Sequence, residues 1–204
     1  MIVIVNYGVG NLGSIANMLK KIGTPCSISA DPAQILAAQK LILPGVGAFD
    51  NGMNQLKSNK LIEALNKRVL DEHTPILGIC LGMQLFCNRS EEGSQPGLGW
   101  IDADVRRFNF SDHSEKLRVP HMGWNEVAGA RSHPLFDKPE EPWCFYFVHT
   151  YHVSCNNSEN VLGTTHYGYS FASAVVRGNI MGVQFHPEKS HSFGMRLLKR
   201  FSDF

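Results

Sequence analysis

The stretch TPILGICLGMQLF, residues 74–86, decides the fold of this chain. Its first part, residues 75–79, is a short continuous apolar run, which is typical of a strand that is covered on both faces. Its second part, residues 81–88, carries apolar side chains at helical spacing. Cys80 stands between the two parts, with Gly78 before it and Gly82 after it. The pattern predicts a strand, a tight turn that carries a thiol, and a helix.

The same alternation of strand and helix runs through the first half of the chain. Asp31 followed by Pro32 is a typical helix start, with Asp as the cap and Pro at the first helical position. We expect strands at residues 2–6, 26–29 and 40–45, and helices at residues 11–23, after residue 31 and at residues 61–72. This alternation predicts an α/β fold with a doubly wound, largely parallel sheet flanked by helices. Sites in such sheets form at the carboxyl ends of the strands.

The second half of the chain has a different pattern. Strand-like segments occur at residues 102–108, 144–153, 171–176 and 180–185, and a helix is expected at residues 192–201. Short turns between the strands predict an antiparallel section that joins the parallel sheet. The chain has no internal repeat and no long linker, so we expect residues 1–204 to form a single domain.

Composition narrows the classes of function. The net charge is +1, which gives no electrostatic footprint for nucleic acid or an anionic membrane. No apolar run approaches the roughly 18 residues that a membrane span requires. The five cysteines are scattered and form no CxxC pair, which argues against a disulfide framework or a zinc ribbon. We therefore expect a protein of the reducing cytoplasm without a nucleic-acid or membrane partner.

A glycine loop near the start of the chain suggests nucleotide binding. Residues 8–13 fit the pattern G-x-G-x-x-G between an expected strand and an expected helix, which is the dinucleotide fingerprint. Asp31 lies near the distance expected for a ribose-binding acid. However, Pro32 directly after it favours a helix cap, and the chain lacks a second nucleotide-binding half. A tight glycine turn is the simpler interpretation, and a nucleotide-binding module stays as an alternative.

Cys80 has the sequence context of a nucleophile elbow. This motif places a reactive side chain on a strained strand-to-helix turn above the sheet, and flanking glycines keep the neighbouring backbone clear. The alternative is a buried core cysteine, which is a common environment for a free thiol. The choice depends on whether the chain also supplies a base for the thiol.

The segment GVQFHPEKS, residues 182–190, supplies such a base. A cysteine nucleophile requires a base and a third group that orients the base. His186 and Glu188 are two residues apart, so in an extended chain their side chains point the same way, and Pro187 stiffens the spacing. A surface histidine beside a solvated glutamate is the alternative. Together with Cys80, the pair predicts a catalytic triad.

A glycine-rich loop supplies the donors that acyl transfer requires. The segment LPGVGAF, residues 43–49, leaves an expected strand and should lie beside the elbow. A peptide N–H near Val46 and Gly47 is one candidate donor for an oxyanion. The N–H of Leu81, directly after the nucleophile, is the other.

Three motifs together resemble a known family. PGVGAF, GICLGMQL and FHPEKS, in this order and spacing, resemble the class I, or triad-type, glutamine amidotransferases, and the match spans almost the whole chain. The added stretches NYGVGNLGS, VPHMGWNEV and YFVHTYHV are similar to the glutaminase subunits of imidazole glycerol phosphate synthases in histidine biosynthesis. The resemblance implies hydrolysis of glutamine to glutamate and ammonia, without a cofactor.

The resemblance also implies roles for individual residues. Cys80 would form a γ-glutamyl thioester, His186 would transfer the protons, and Glu188 would hold the imidazole. Substrate contacts are implied for four further residues: Gln84, Glu92, Thr150 and Tyr151. For Glu92 the alternative is a solvated loop acid.

The family delivers its ammonia through a tunnel to a synthase partner. The resemblance implies that this partner is a synthase/cyclase subunit with a (β/α)₈ barrel, which forms a heterodimer with the glutaminase. Met122 and Trp124, in a context that looks like a turn, are candidate interface residues, with a local core cluster as the alternative. Lys189 follows Glu188 directly and can point toward a partner, and Asn11 is a further candidate interface residue.

One other interpretation of the glutaminase stays open. A glutaminase of the same build can serve the amination of nucleotide-linked or surface-polysaccharide sugars, and the segments KSHSFG and NYG keep this alternative open.

His149 and His152 form an H-x-x-H pattern that suggests zinc. However, side chains three apart in a strand point to opposite faces, so we expect no metal site.

Overall fold

The centre of the fold is a mixed sheet with a parallel half and an antiparallel half. A computed structural model describes residues 1–111, 117–129, 131–136 and 142–204. Within these residues the strands are β1 (Ile2–Val5), β2 (Cys26–Ser29), β3 (Lys40–Gly45), β4 (Ile76–Cys80), β5 (Arg89–Ser90), β6 (Ala103–Arg107), β7 (His121–Gly129), β8 (Trp143–His149), β9 (Tyr151–Cys155), β10 (Val161–Tyr167), β11 (Tyr169–Arg177) and β12 (Ile180–Val183).

The parallel half has the order β2-β1-β3-β4-β12. β12 comes from the far end of the chain and pairs in parallel with β4, with Val183 opposite Ile79. The carboxyl ends of these two strands therefore meet at one edge of the sheet. This pairing places residues that follow position 183 beside Cys80.

The antiparallel half continues from β12 through β11, β10 and β7 to β8. A branch runs from β11 to β9 and on to β6 and β5. The predicted α/β fold, with an antiparallel section joined to a parallel sheet, is confirmed.

Helices cover both faces of the sheet. Within the described residues they are α1 (Leu12–Lys21), α2 (Pro32–Leu36), α3 (Phe49–Ser58), α4 (Ile62–Asn66), α5 (Leu81–Gln84) and α6 (His191–Asp203). The alternate side chains of β1 enter two separate cores: Ile2 and Ile4 face α1 and α6, and Val3 and Val5 face the other helices. The predicted doubly wound arrangement is confirmed. No helix in the described ranges has the length and hydropathy required to cross a membrane.

Local signals in the sequence have the predicted structural effects. The Asp31 carboxylate accepts a hydrogen bond from the Ala33 N–H at 2.9 Å and caps α2, as its neighbour Pro32 indicates. In the glycine loop, Gly10 has a φ of +108° and lies against Pro44 of β3. The loop is therefore a tight turn that packs on the neighbouring strand.

Three segments differ from the predictions. The helix predicted for residues 81–88 ends at Gln84, because short turns, with the Phe86 N–H bonded to Met83 O, lead the chain into β5. The helix predicted for residues 61–72 consists of α4 and a π-helical turn, Lys67–Asp71. The strand predicted for residues 144–153 is divided at Thr150 into β8 and β9, which pair with different strands.

The context of Met122 and Trp124 was also predicted wrongly. Both residues lie in the nine-residue strand β7 and not in a turn. β7 pairs along most of its length with β8. Pro120 and Gly123 indicate a turn locally, but the cross-strand pairing with β8 determines the conformation of this segment.

Candidate active site

Cys80 occupies a strained turn at the carboxyl end of β4. Its backbone has φ +54° and ψ −111°, and α5 begins at the next residue. A positive φ is uncommon for a residue with a side chain and costs about 1–3 kcal/mol, so the surrounding structure must hold it. A β-carbon on Gly78 would lie 2.7 Å from the Met83 N, and one on Gly82 would lie 1.8 Å from the Leu43 carbonyl oxygen. The two glycines are therefore required for this turn.

His186 and Glu188 lie beside this turn because they follow β12. The His186 Nδ1 is 2.8 Å from Glu188 Oε1, and both side chains are 2% exposed. A 3₁₀ turn that begins at Pro187 holds the spacing between them. The carboxylate thus binds one ring nitrogen, and the other, Nε2, is buried without a hydrogen-bond partner among the described residues. Nε2 is the nitrogen available for a reaction.

The charge state of His186 depends on its two acidic neighbours. Burial by itself lowers the pKa of the imidazole, but interactions with Cys80 and with Glu188 outweigh burial and raise the pKa to about 10. The structure therefore favours a protonated imidazole, with the Nδ1 proton held by Glu188. This arrangement can give a proton to a departing group and take one from water.

The predicted oxyanion loop lies directly beside the nucleophile. Gly45, the last residue of β3, is in register with Cys80, and the loop that contains Val46 and Gly47 follows. Val46 is 45% exposed, and Gly47 has φ +100° with open space around it. The loop is therefore held at its base by the sheet and free to change its peptide orientation above it.

These residues line one pocket of about 430 Å³. Its lining includes the following predicted residues: Cys80, His186, Val46, Gly47, Leu81, Gln84, Glu92, Thr150, Tyr151 and Lys189. Glu188 lies behind His186 and is not part of the lining. A pocket of this volume holds a small amino acid or a molecule of similar size.

Two predicted substrate residues are held by protein contacts. The Gln84 Nε2 donates to Tyr151 O at 3.1 Å and to Gln184 Oε1 at 3.0 Å. One Glu92 oxygen, Oε2, accepts the Phe49 N–H at 2.8 Å, at the start of α3. These contacts fix the orientation of an amide and of a carboxylate in the pocket wall.

The predicted partner residues lie outside the pocket, except Lys189. Asn11 is exposed, and Met122 and Trp124 are 61% and 48% exposed on the same face of β7. The Trp124 ring stacks on His191, with the ring centroids 5.5 Å apart. The Lys189 ammonium is 5.6 Å from the centroid of the Tyr146 ring, at the rim of the pocket. Of the four predicted partner residues, only Lys189 therefore lies at the pocket, and the other three are exposed.

The expectation that His149 and His152 point to opposite faces was wrong. Both rings contact Phe108, with centroid distances of 5.2 and 4.7 Å. The strand breaks at Thr150 between them, so the alternation of a continuous strand does not apply. Across the part of the chain that the structure describes, no three His, Cys, Asp or Glu side chains form a group suited to a metal ion.

Sequence reasoning missed two residues at the site. Gln184 donates from Nε2 to the Cys80 Sγ at 3.6 Å, and His149 lines the pocket. Gln184 stands two residues before His186, so its position on the same side of an extended chain was a usable signal. For His149 there was no such signal, because its position depends on the pairing of β8 with β7.

Comparisons with known proteins show the family and the fold of this chain. The model of the family described as Glutamine amidotransferase class-I matches residues 3–203. A Methanococcus maripaludis protein named imidazole glycerol phosphate synthase subunit HisH 2 is 54% identical over 201 residues, which cover 98% of both chains. A Pseudomonas aeruginosa protein of the same name is 48% identical, with the same coverage of both chains. A crystal structure described as a glutamine amidotransferase has a TM-score of 0.76 at 19% identity and covers 100% of this chain and 98% of that one.

Proposed function

Because the chain belongs to the class I glutamine amidotransferase family, we propose that it is the glutaminase subunit of an imidazole glycerol phosphate synthase. It hydrolyses glutamine to glutamate and ammonia and acts in histidine biosynthesis with a synthase subunit as its partner. The observation that carries the proposal is the position of Cys80, His186 and Glu188 at the carboxyl ends of two adjacent parallel strands.

The thiolate of Cys80 attacks the carbonyl carbon of the glutamine carboxamide and forms a C–S bond. The C–N bond then breaks, and His186 gives the proton that lets ammonia leave. Water attacks the resulting γ-glutamyl thioester while His186 takes one of its protons, and the C–S bond breaks to release glutamate. Glu188 keeps the imidazole in the tautomer and orientation that both steps require.

The negative charge that develops on the carboxamide oxygen requires donors. The N–H of Leu81 and an N–H near Val46 and Gly47 are the candidates, since both segments line the pocket beside Cys80. The open space around Gly47 supports a change in peptide orientation at this point. Loss of one such donor costs about 2.7–4 kcal/mol, or a factor of about 10²–10³ in rate.

The amino-acid end of glutamine requires a cation site and polar contacts. Glu92 supplies a carboxylate for the α-ammonium group, and the Phe49 N–H holds that carboxylate in the pocket wall. Gln84, Thr150 and Tyr151 line the same pocket and supply amide, hydroxyl and backbone groups. We infer that these four residues orient the side-chain carboxamide toward the Cys80 sulfur.

The ammonia must avoid bulk water, because protonation removes its nucleophilic lone pair. We infer that the synthase partner has a (β/α)₈ barrel, forms a heterodimer with this chain and receives ammonia through a channel.

Met122 and Trp124 are large exposed apolar side chains that support a docking surface on β7. Asn11 and Lys189 extend this surface. We place the complex in the cytoplasm, where free thiols such as those of the five cysteines persist.

Labelling with an electrophilic glutamine analogue tests the nucleophile. The analogue should modify Cys80, and Cys80→Ala should abolish glutamine hydrolysis by the complex with the synthase. Cys155→Ala is the matched control, because Cys155 is partly buried at the far end of β9 and does not line the pocket. Labelling mainly at another cysteine would contradict the assignment.

Purification of the native complex tests the acceptor of the ammonia. The synthase that co-purifies should rescue a histidine auxotroph together with this chain. Co-purification with an enzyme of sugar amination, and no rescue, would instead support the paralogous glutaminase. Tight binding of NAD without any binding of glutamine would support the nucleotide-binding module.

A further inference from the structure

Gln184 connects the nucleophile to a buried chain of hydrogen bonds. Its side chain has no exposed surface and lies between β12 and His186. The carboxamide nitrogen Nε2 donates to the Cys80 sulfur at 3.6 Å, and the oxygen Oε1 accepts from Gln84 Nε2 at 3.0 Å. The side chain therefore reaches the reacting atom, although it belongs to no part of the triad.

The Tyr151 carbonyl determines which way the Gln184 amide faces. This oxygen can only accept, and it accepts from Gln84 Nε2 at 3.1 Å. The second Gln84 N–H then points to Gln184, which must present its oxygen. A reversed Gln184 amide would oppose two N–H groups and aim its oxygen at the Cys80 sulfur. The N–H of Gln184 is thus directed at the sulfur by the network.

Two neutral histidines support the same carbonyl. The His149 Nδ1–H donates to Tyr151 O at 2.8 Å, so its Nε2 accepts from the His121 Nδ1–H at 3.0 Å. Burial lowers the pKa of His149 to about 3 and that of His121 to about 4, which keeps both rings neutral. The Asn125 side-chain amide, on β7, completes the chain at 3.2 Å from His121 Nε2. The positions of the protons in this series of hydrogen bonds, from Asn125 to the Tyr151 carbonyl, are therefore determined.

We propose that Gln184 is a positioning residue that holds the Cys80 sulfur by an N–H···S hydrogen bond and stabilises its thiolate form. The orientation of this donor is set by Gln84 and the Tyr151 carbonyl. The effect on glutamine hydrolysis rests on the proposed function, whereas the effect on the reactivity of the thiol does not.

The titratable groups that interact electrostatically with the sulfur are His186 and Tyr7, while Glu92, His149, Tyr151 and Lys189 line the same pocket as Cys80. His186 stabilises the thiolate only while its ring is protonated, and the charge of Cys80 in turn raises its pKa. Tyr7 is buried, and burial and the charge of Cys80 raise its pKa, so it stays neutral. Gln184 does not titrate, so its contribution to the thiolate persists at every pH. Loss of this donor should therefore shift the pH profile of the thiol.

Alkylation with iodoacetamide, followed by mass spectrometry of the Cys80 peptide, measures this profile on the full chain. Gln184→Met removes the donor at nearly constant length, and Gln184→Glu replaces the amide by an acceptor of the same shape. Thr165→Val is the matched control, because it removes a buried hydrogen bond, Thr165 Oγ1 to Ser173 Oγ at 2.8 Å, that does not reach the cysteine.

Both Gln184 variants should move the midpoint of alkylation to higher pH by about 1–2 pH units, which is the range for a hydrogen bond to a charged group. In the native complex, kcat should fall about 10–100-fold with KM changed less than about threefold. A wild-type alkylation profile in a folded Gln184 variant would overturn the proposal. If Gln184→Met does not fold, the alkylation profile of Gln184→Glu provides the test. Shifted alkylation in a chain that never hydrolyses glutamine would refute the proposed function and retain the role of Gln184.

Discussion

Gly82 approaches Leu43 so closely that a β-carbon on Gly82 would lie 1.8 Å from the Leu43 carbonyl oxygen. This contact brings the first turn of α5 onto β3 and thereby positions the strained turn at Cys80. The backbone of a central strand cannot move away without loss of its pairing on both sides. The contact therefore explains why the residue two positions after the nucleophile is a glycine.

Gly82→Ala should destabilise the protein by about 1–3 kcal/mol or more, because the added methyl group overlaps a backbone atom. Gly13→Ala is the control, since Gly13 lies in α1 with open space around its Cα. This second change should stabilise the helix by about 0.5–1 kcal/mol. Urea unfolding measures both changes. Equal stability of the two variants would show that the contact is not tight.

Glu188→Gln should lower glutamine turnover by about 10⁴-fold, because an amide no longer holds the imidazole in the required tautomer. The fold should stay intact, since the two side chains have the same shape. Steady-state kinetics of the complex measures the loss, with Glu159→Gln, at an exposed position, as the control. Near-normal turnover would mean that another acid orients His186.

The same variant should change the stability of the protein at alkaline pH. Cys80 and Glu188 raise the pKa of His186 to about 10 in the folded state. Protonation of His186 therefore stabilises the fold fully below about pH 6.5, the ordinary pKa of histidine. This contribution should be lost as the pH rises from about 6.5 to about 10. The free energy of unfolding should fall over this window in the wild type and fall less in Glu188→Gln. If the free energy of unfolding depended on pH in the same way in the wild type and in Glu188→Gln, the interaction of Glu188 with His186 would not contribute to stability.

Gly47→Ala should slow glutamine hydrolysis by about 10²-fold, because a β-carbon at φ +100° restricts the peptide that supplies an oxyanion donor. Gly23→Ala is the matched control: Gly23 has φ +74°, is also surrounded by open space and lies far from the pocket, after α1. Both variants should lose similar stability, and only the first should lose turnover. A similar loss of turnover in both would point to a general effect on the fold.

Met122→Ala combined with Trp124→Ala should weaken binding to the synthase by at least about 30-fold, as is usual for the loss of a large apolar anchor. Because both side chains are largely exposed, the free chain should lose little stability. Titration calorimetry with the purified synthase measures the affinity. Leu70→Ala, at a residue that is 41% exposed on the π-helical turn, is the control and should bind normally.

The buried histidines His121 and His149 should make the protein sensitive to acid. Burial lowers the pKa of His121 to about 4 and that of His149 to about 3, so the unfolded chain binds more protons than the folded chain below about 6.5. Stability should therefore fall as the pH drops from about 6.5 to about 3. His121→Phe should make this fall less steep, whereas His166→Gln, at an exposed position, should not. An unchanged slope in His121→Phe would exclude its contribution.

Local patterns in the sequence determined a large part of the fold. The apolar run of β1, the Asp31 cap and Gly78, which packs against Met83, each act over a few residues, so each could be predicted without knowledge of neighbouring strands. The nucleophile elbow could be recognised from the residues directly around Cys80, although the contact of Gly82 with β3 holds its conformation. The position of His186 two residues before Glu188 is a local feature as well.

Only the tertiary structure decided which of these local elements lie side by side. β12 pairs with β4 across about a hundred residues, and this pairing brings Gln184 to the Cys80 sulfur. The pairing of β7 with β8 turns a segment that resembles a turn into a strand, and the change of partner strands at Thr150 places two histidines against one phenylalanine ring. The reason is physical: β4 obtains hydrogen bonds from β12, which is distant in the sequence, so the residues of β4 do not specify that neighbour.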